Sequence, residues 1–314
     1  MSAVCAISTN SSRTGPWPRV AGWPGCRCRA ARSAPRSAAS IDAGPVLNAR
    51  LPEAASPPTA TGTKWREERV LDYRYWTPRL VSFRITRDPG FRFVPGRYAR
   101  LGLVGADGEV IWRPFSMVSG AQDDFLEFLA VLVEGGQFSP LLAALKAGDP
   151  VLIEKAEFGF LTLDQLAPGD NLWMFASGSG LGPFLSILRE PAPWRTFRHL
   201  VLVHSVRYLD DLAYRADIEE IRDTVAGIEG NADLRYVPVV TRESGGTLSA
   251  RIPQLIEDGR LESAADIKLD VATSRAMVCG NPDLTQEMRK LLAVRGFATS
   301  RRGVPGQMAF EKYW

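Results

Sequence analysis

Cysteine is scarce in this chain. Four occur in 314 residues, and Cys5, Cys26 and Cys28 all fall within the first 62. The remainder holds Cys279 alone, which excludes a disulfide framework and a cysteine-ligated metal or iron–sulfur cluster there. Cys26-Arg27-Cys28 lacks the further ligands that a zinc site needs. Long apolar runs are missing as well, so no transmembrane helix is expected. Strong charge of one sign is missing from the body. Residues 1–62 carry seven arginines against Asp42 and Glu53, a surplus of five, which leaves −2 for the rest of a chain whose total is +3. A body so near neutrality argues against nucleic acid as the main partner. What is left reads as a soluble globular protein long enough for two cores.

Residues 1–62 are rich in Ser, Ala, Pro and Arg and show no apolar period, so disorder is the expectation for them. An organellar transit peptide has that composition. A start site placed too far upstream in a GC-rich gene gives it equally, and is the favoured reading because the body looks bacterial. From Lys64 the pattern changes to short strand-like runs at 70–76, 80–86, 98–104, 110–118, 125–133 and 151–154, separated by turn residues such as Asp88-Pro89-Gly90 and Ala106-Asp107-Gly108. Such spacing predicts a small antiparallel barrel. One helix is expected at 139–146, with Ser139 as N-cap and Pro140 at its first position. After about Leu166 strands at 172–176, 199–204, 234–240 and 276–279 alternate with helices at 183–188, 209–225, 251–258 and 283–294. Alternation of this kind is the mark of a parallel sheet flanked by helices. The expected fold class is an antiparallel β-barrel, residues 63–165, followed by an α/β domain, residues 166–314.

The most informative stretch opens the second half. The apolar run Leu172-Trp173-Met174-Phe175 leads into Gly178-Ser179-Gly180-Leu181-Gly182-Pro183. Strand, glycine turn and helix N-terminus together present N–H groups to an anion such as a pyrophosphate. An ordinary β–α loop can hold glycines too, so later segments decide. A turn of the NAD type has Gly-x-Gly-x-x-Gly and an acidic residue about 20 positions on. Here the third glycine, Gly182, comes one place early, and the next strand runs into His204-Ser205-Val206-Arg207. The strand after it runs into Thr241-Arg242, and Arg251 follows nine residues later. Arginines beyond the carboxyl ends of strands can fork a 2′-phosphate and favour NADP. Cys279-Gly280-Asn281-Pro282 follows a further strand and is a candidate to meet the nicotinamide end.

In the barrel, Arg113-Pro114-Phe115-Ser116 places a proline inside a strand, which is tolerated at an edge or opening. There Arg113 can reach a phosphate and Phe115 can lie on a planar ring. Gly135-Gly136-Gln137-Phe138-Ser139 leads into the barrel's helix and makes a second anion site. Two such sites beside an NADP-type site suggest a second dinucleotide, FAD.

From about Lys64 to Trp314 these motifs, in this order, resemble the bacterial ferredoxin/flavodoxin–NADP⁺ reductase family. Its Arg-x-Tyr/Phe-Ser element is similar to residues 113–116, its Leu/Phe-Ser-Pro element to Gln137-Phe138-Ser139-Pro140, and its Gly-Thr-Gly/Ala-x-x-Pro loop to the glycine turn, with Ser179 for Thr. The resemblance implies that Arg113, Pro114, Phe115, Ser116, Leu129, Gln137, Phe138, Ser139, Ser179, Tyr313 and Trp314 hold FAD. It implies that Gly178, Gly180, Gly182, Arg207, Arg242, Arg251, Gly280, Asn281, Pro282 and Glu287 hold NADP. Ser116 and Cys279 would flank the reacting atoms, position them and polarise them. The terminal Glu311-Lys312-Tyr313-Trp314 is like the subclass whose last aromatic packs on the FAD adenine. Phe115 departs from the usual Tyr, keeping the ring and losing the hydroxyl.

The implied activity is direct hydride transfer between NADPH and FAD, in a direction the sequence leaves open, and single-electron exchange with ferredoxin or flavodoxin, by a cytoplasmic monomer without nucleic-acid or membrane partners. An NADPH-dependent reductase of free flavin or of an oxygenase component, and a non-catalytic FAD/NADP-binding sensor, remain open. Arg242→Ala should weaken NADPH far more than NADH; steady-state comparison of the two coenzymes measures it, and equal effects contradict the 2′-phosphate assignment.

Overall fold

The computed structural model describes residues 64–225, 228, 230–243 and 248–312. The expected N-terminal extension at 1–62 and the residues Tyr313 and Trp314 lie outside the described residues.

Six antiparallel strands form the first sheet: β1 (Trp65–Thr77), β2 (Leu80–Thr86), β3 (Tyr98–Val104), β4 (Val110–Ser116), β5 (Phe125–Val131) and β6 (Pro150–Glu154). Their order is β4-β3-β6-β1-β2-β5. Beyond β4 the chain meets the other edge strand: Met117 bridges Phe128, and the Val118 N–H donates to the Glu127 carbonyl at 2.8 Å. That contact curls the sheet into a barrel around Phe83, Ile85, Leu101, Leu126 and Phe128, all buried. Pro114 lies on edge strand β4 opposite Arg100, where its missing N–H breaks no outer ladder.

β1 is longer than its apolar pattern suggested. Its first five residues pair with β6, and from Val70 onward it pairs with β2, with register shifts on the way. A strand that changes partner and bends loses a single clean alternation. The barrel's helix α1 (Phe138–Ala144) corrects the expected cap. It starts one residue before Ser139, with Gln137 at the N-cap and no side-chain cap bond. The Ser139 hydroxyl instead accepts the Val133 N–H at 2.8 Å, so the preceding turn has already claimed it.

The second sheet is parallel, with order β11-β10-β7-β8-β9. Its strands are β7 (Asn171–Ser177), β8 (His199–Val206), β9 (Asp233–Val240), β10 (Ser274–Gly280) and β11 (Met308–Lys312). The helices are α2 (Gly182–Leu188), α3 (Pro191–Thr196), α4 (Arg215–Val225), α5 (Ile252–Glu257), α6 (Arg260–Ala265) and α7 (Pro282–Val294). Residues 172–176 of β7 have no exposed surface, as a strand buried on both faces must. Trp173 and Phe175 stack and pack with α5, α6 and α7 through Leu255, Leu261 and Met288.

α3, α6 and β11 go beyond the sequence reading. The two helices are single six-residue pieces, too short for an apolar period. The helix expected at 209–225 is broken: a 3₁₀ turn at Leu209–Asp211 is followed by Tyr214 at φ 58°, and α4 starts only at Arg215. All seven residues of α2 are buried, because the barrel covers the side that the sheet does not. Ser186 Oγ donates to the Ser119 carbonyl at 2.7 Å, and the Gly182 Cα faces Val118 and Ser116. Phe83→Ala, which opens the barrel core beneath Phe115 and Phe128, should lower stability by about 3–5 kcal/mol in equilibrium urea unfolding.

Candidate functional site

Carboxyl ends of β7, β8, β9 and β10 lie along one edge of the parallel sheet, and the site is built there. After β7 the turn tightens into a 3₁₀ segment, Gly178–Leu181, which passes directly into α2. Gly178 is left-handed at φ 53°, and nothing lies within 4 Å of the place a Cβ would take. Gly180 differs: a methyl there would stand 2.7 Å from the Cys279 carbonyl carbon. Beneath the turn lies His204, buried, 3.3 Å from the Gly178 carbonyl through Nε2 and 3.3 Å from the Tyr236 hydroxyl through Nδ1. Burial pushes its pKa down to about 4. Near neutral pH the imidazole is therefore uncharged, with Nε2 donating to the carbonyl and Nδ1 accepting from Tyr236. The turn, its small residues and the helix N-terminus form a cradle that fits a pyrophosphate.

Arg207 and Arg242 follow β8 and β9 and are tied by the Arg242 N–H, which donates to the Arg207 carbonyl at 3.0 Å. Both are exposed, as is Arg113 on β4. Among the described residues none of the three meets a carboxylate, so their charge is available to phosphate. Arg251 is arranged otherwise. It stands at the N-cap of α5 and pairs with Glu287 of α7 at 2.8 Å, so two residues expected to touch the coenzyme hold each other. After β10, Asn281 caps α7 by accepting the Leu284 N–H at 2.9 Å, and Pro282 occupies the first turn. The Asn281 N–H reaches Ser177 Oγ at 3.1 Å, and a side chain at Gly280 would run into Ser177. Two strand ends are thereby stitched together.

On the barrel side, Phe115 is half-buried, with its ring 5.4 Å from Phe138 and edge-on to Phe83 and Phe128. The Phe138 ring thus lies in the core, while Gln137 beside it is exposed. Leu129 is buried on β5. No side chain caps α1, which leaves its first N–H groups for an anion. The donor set of Arg113, α1 and a half-exposed aromatic fits a flavin nucleotide.

A side-chain hydrogen bond ties barrel strand β4 to sheet strand β11. Ser116 Oγ, buried, donates to Glu311 Oε1 at 3.2 Å. Glu311 lies on β11 in register with Cys279, whose other neighbour in the sheet is Ala176. Ser116, Glu311, Cys279 and Gly180 so form one group drawn from both halves. Glu311 was not among the expected site residues; its signal was an acidic residue closing the apolar run Met308-Ala309-Phe310. Burial raises its pKa to about 7, and the Ser116 bond pulls the other way. Among the described residues no group of His, Cys, Asp and Glu could hold a metal, and no helix is long and apolar enough to cross a membrane.

This geometry can be compared with known proteins. The family model described as "Oxidoreductase NAD-binding domain" matches residues 174–290. Ferredoxin–NADP reductase A of Sorangium cellulosum is 37% identical over 253 residues, covering 79% of this chain and 90% of the relative. The flavodoxin/ferredoxin–NADP reductase of Escherichia coli K12 is 38% identical over 80% of this chain and 99% of its own. The chain belongs to the ferredoxin/flavodoxin–NADP reductase family. A ferredoxin NADP⁺ reductase from Neisseria gonorrhoeae, solved with bound FAD and NADP, matches with TM-score 0.74 and 34% identity over 80% of this chain and all of that one. A barrel followed by a parallel α/β sheet is thus the fold of a family member.

The raised pKa of Glu311 has a consequence for this reductase family member. Above pH 4.5 the unfolded chain ionises that carboxyl and the folded chain does not, so stability falls between about pH 4.5 and 7 and then levels off. Glu311→Gln should remove that loss, by at most about 3 kcal/mol. Urea unfolding at pH 4 and pH 8 measures it; parallel wild-type and variant curves contradict the buried-carboxyl assignment.

Proposed function

We propose that this chain carries out its family's reaction, moving electrons between NADPH and ferredoxin or flavodoxin through FAD. The observation that carries the reading is the Ser116–Glu311 bond. It joins the barrel segment suited to a flavin to the strand end suited to a nicotinamide. In this reading residues 63–165 hold FAD and residues 166–314 hold NADP.

Arg113 and the N-terminus of α1 take the flavin's phosphates, and Phe115 offers its free side to the ring system. Arg207 and Arg242 take the 2′-phosphate, and the Gly178–Gly182 turn takes the pyrophosphate. Arg251 and Glu287 act as a pair that positions α5 against α7, with Arg251 opening toward the phosphate. FAD, when bound, accepts the two electrons of a hydride together and releases them one at a time, which is what couples NADPH to a one-electron carrier.

The chain's own groups do the rest. Cys279 and Gly180 limit how far the nicotinamide end can enter, because backbone lies on backbone there. Glu311 has a pKa near neutral; ionised, it accepts from Ser116 Oγ, and protonated at Oε1 it donates to that oxygen instead, so a proton can pass through the hydroxyl. Burial of Ser116 and Cys279 keeps bulk water from that point. Cys279 is buried and contributes shape; no nucleophilic role is assigned to it.

The finer reading has the enzyme act as a cytoplasmic monomer with no nucleic-acid partner, and the −2 charge beyond residue 62 supports the last point. Anaerobic NADPH should bleach the bound flavin, and the reduced enzyme should pass electrons to ferredoxin or flavodoxin from the same cell. A flavin that NADPH leaves yellow sinks the enzyme reading in favour of a sensor. Bleaching without transfer to either carrier points to a reductase of free flavin or of an oxygenase component.

A further inference from the structure

Glu127 sits in the middle of β5 with no exposed surface. Its neighbours Leu126 and Phe128 fill the barrel core, so alternation turns Glu127 to the opposite face, toward the α/β half. Three side chains close on its carboxylate. Arg84 of β2 stands 3.7 Å from Oε2, and Arg189, just past the end of α2, donates to the same oxygen at 3.2 Å. The Tyr214 hydroxyl donates to Oε1 at 2.8 Å. Arg189 also donates to the Val118 carbonyl at 3.0 Å, and the Tyr214 ring lies 4.7 Å from that of Trp76.

Arg189 and Tyr214 share a feature of position. α2 begins at the glycine turn and ends at Arg189. The segment after β8 begins at Arg207 and ends at Tyr214, which is fully buried and left-handed at φ 58°. A non-glycine residue adopts that backbone only where its surroundings hold it, and here the hydroxyl and ring are held by Glu127 and Trp76. Burial, and then the Glu127 carboxylate, push the Tyr214 phenol far above its ordinary pKa, so it remains a donor at every working pH. One barrel carboxylate therefore grips the rear ends of the two segments whose front ends face the coenzyme.

We propose that Glu127, acting through Arg189 and Tyr214, is a positioning residue that sets the pyrophosphate turn and the Arg207 segment in register with the barrel, and thereby fixes how closely the nicotinamide approaches the flavin. The inference rests on the coenzyme assignment made above. A buried ionic cluster adds little net stability, since desolvation offsets most of its attraction; what it supplies is fixed direction. Direction matters for hydride transfer, because a displacement of about 1 Å can cost on the order of a hundredfold in rate.

Tyr214→Phe tests this with the least disturbance, keeping the ring on Trp76 and removing the bond to Glu127. Glu127→Gln is the second variant, retaining shape and an acceptor oxygen. Both are studied as full chains loaded with FAD. Adenosine 2′,5′-bisphosphate titration reports the adenine half of the site alone. Anaerobic stopped-flow bleaching at saturating NADPH reports hydride transfer, and long-wavelength charge-transfer absorbance reports ring contact. The expected result is bisphosphate affinity within about twofold of wild type, hydride transfer slower by about tenfold or more, and weakened charge-transfer absorbance. A hydride rate within about twofold of wild type overturns the proposal. So does a slower rate matched by equal weakening of bisphosphate or by loss of FAD, which would make the cluster merely structural. Should Glu127→Gln fail to fold, Tyr214→Phe decides. Wild-type protein that NADPH cannot bleach overturns the reductase reading and this inference together, and the wild-type trace tells that failure from the others.

Discussion

Backbone lies on backbone at Gly180, and the rest of the site depends on that close approach. A methyl there would stand 2.7 Å from the Cys279 carbonyl carbon and 3.0 Å from the Gly280 Cα. With nothing between them, the turn after β7 and the end of β10 share one small space. Two residues on, the missing side chain of Gly182 faces the other way, 3.3 Å from Val118 and 3.6 Å from the Ser116 carbonyl. The turn is thus thin on both sides, toward the sheet and toward the barrel. A side chain at Gly180 would push the turn off the end of β10, and one at Gly182 would press on the barrel.

Two carboxyl groups mark that junction in opposite surroundings. Glu311 meets a serine hydroxyl, and burial raises its pKa until it titrates near neutrality. Glu127 meets two guanidinium groups and a phenol. The first environment suits a group that holds and releases a proton; the second suits a group that holds its neighbours in place. Their separation into two roles follows from which side chains the fold sends to each, since the residue type is the same.

Much of the fold could be read along the chain. Turn residues at short intervals announced the antiparallel barrel, and the later alternation of apolar runs with helical periods announced the parallel sheet. α3 and α6 escaped because six residues carry too little period, and β11 because its run sits in the last residues of the chain. β1 was cut short because a strand with two successive partners has two inward faces. At the site, the glycine turn, Arg207 and Arg242 stand where strand ends were expected to bring them. The Arg251–Glu287 pair and the core-facing ring of Phe138 were not legible, since each depends on what lies opposite.

Local chemistry is what the amino-acid order settles by itself: which segments bury, where backbone must turn, and which residues carry charge at a strand end. Period, glycine and proline act over a few residues and need no partner to be read. Tertiary structure alone decided that Ser116 meets Glu311 across 195 positions, and that Glu127 gathers Arg189 and Tyr214. Those contacts depend on which faces the barrel and the sheet turn to one another. That choice comes from packing the whole apolar surface at once, and no local pattern records it.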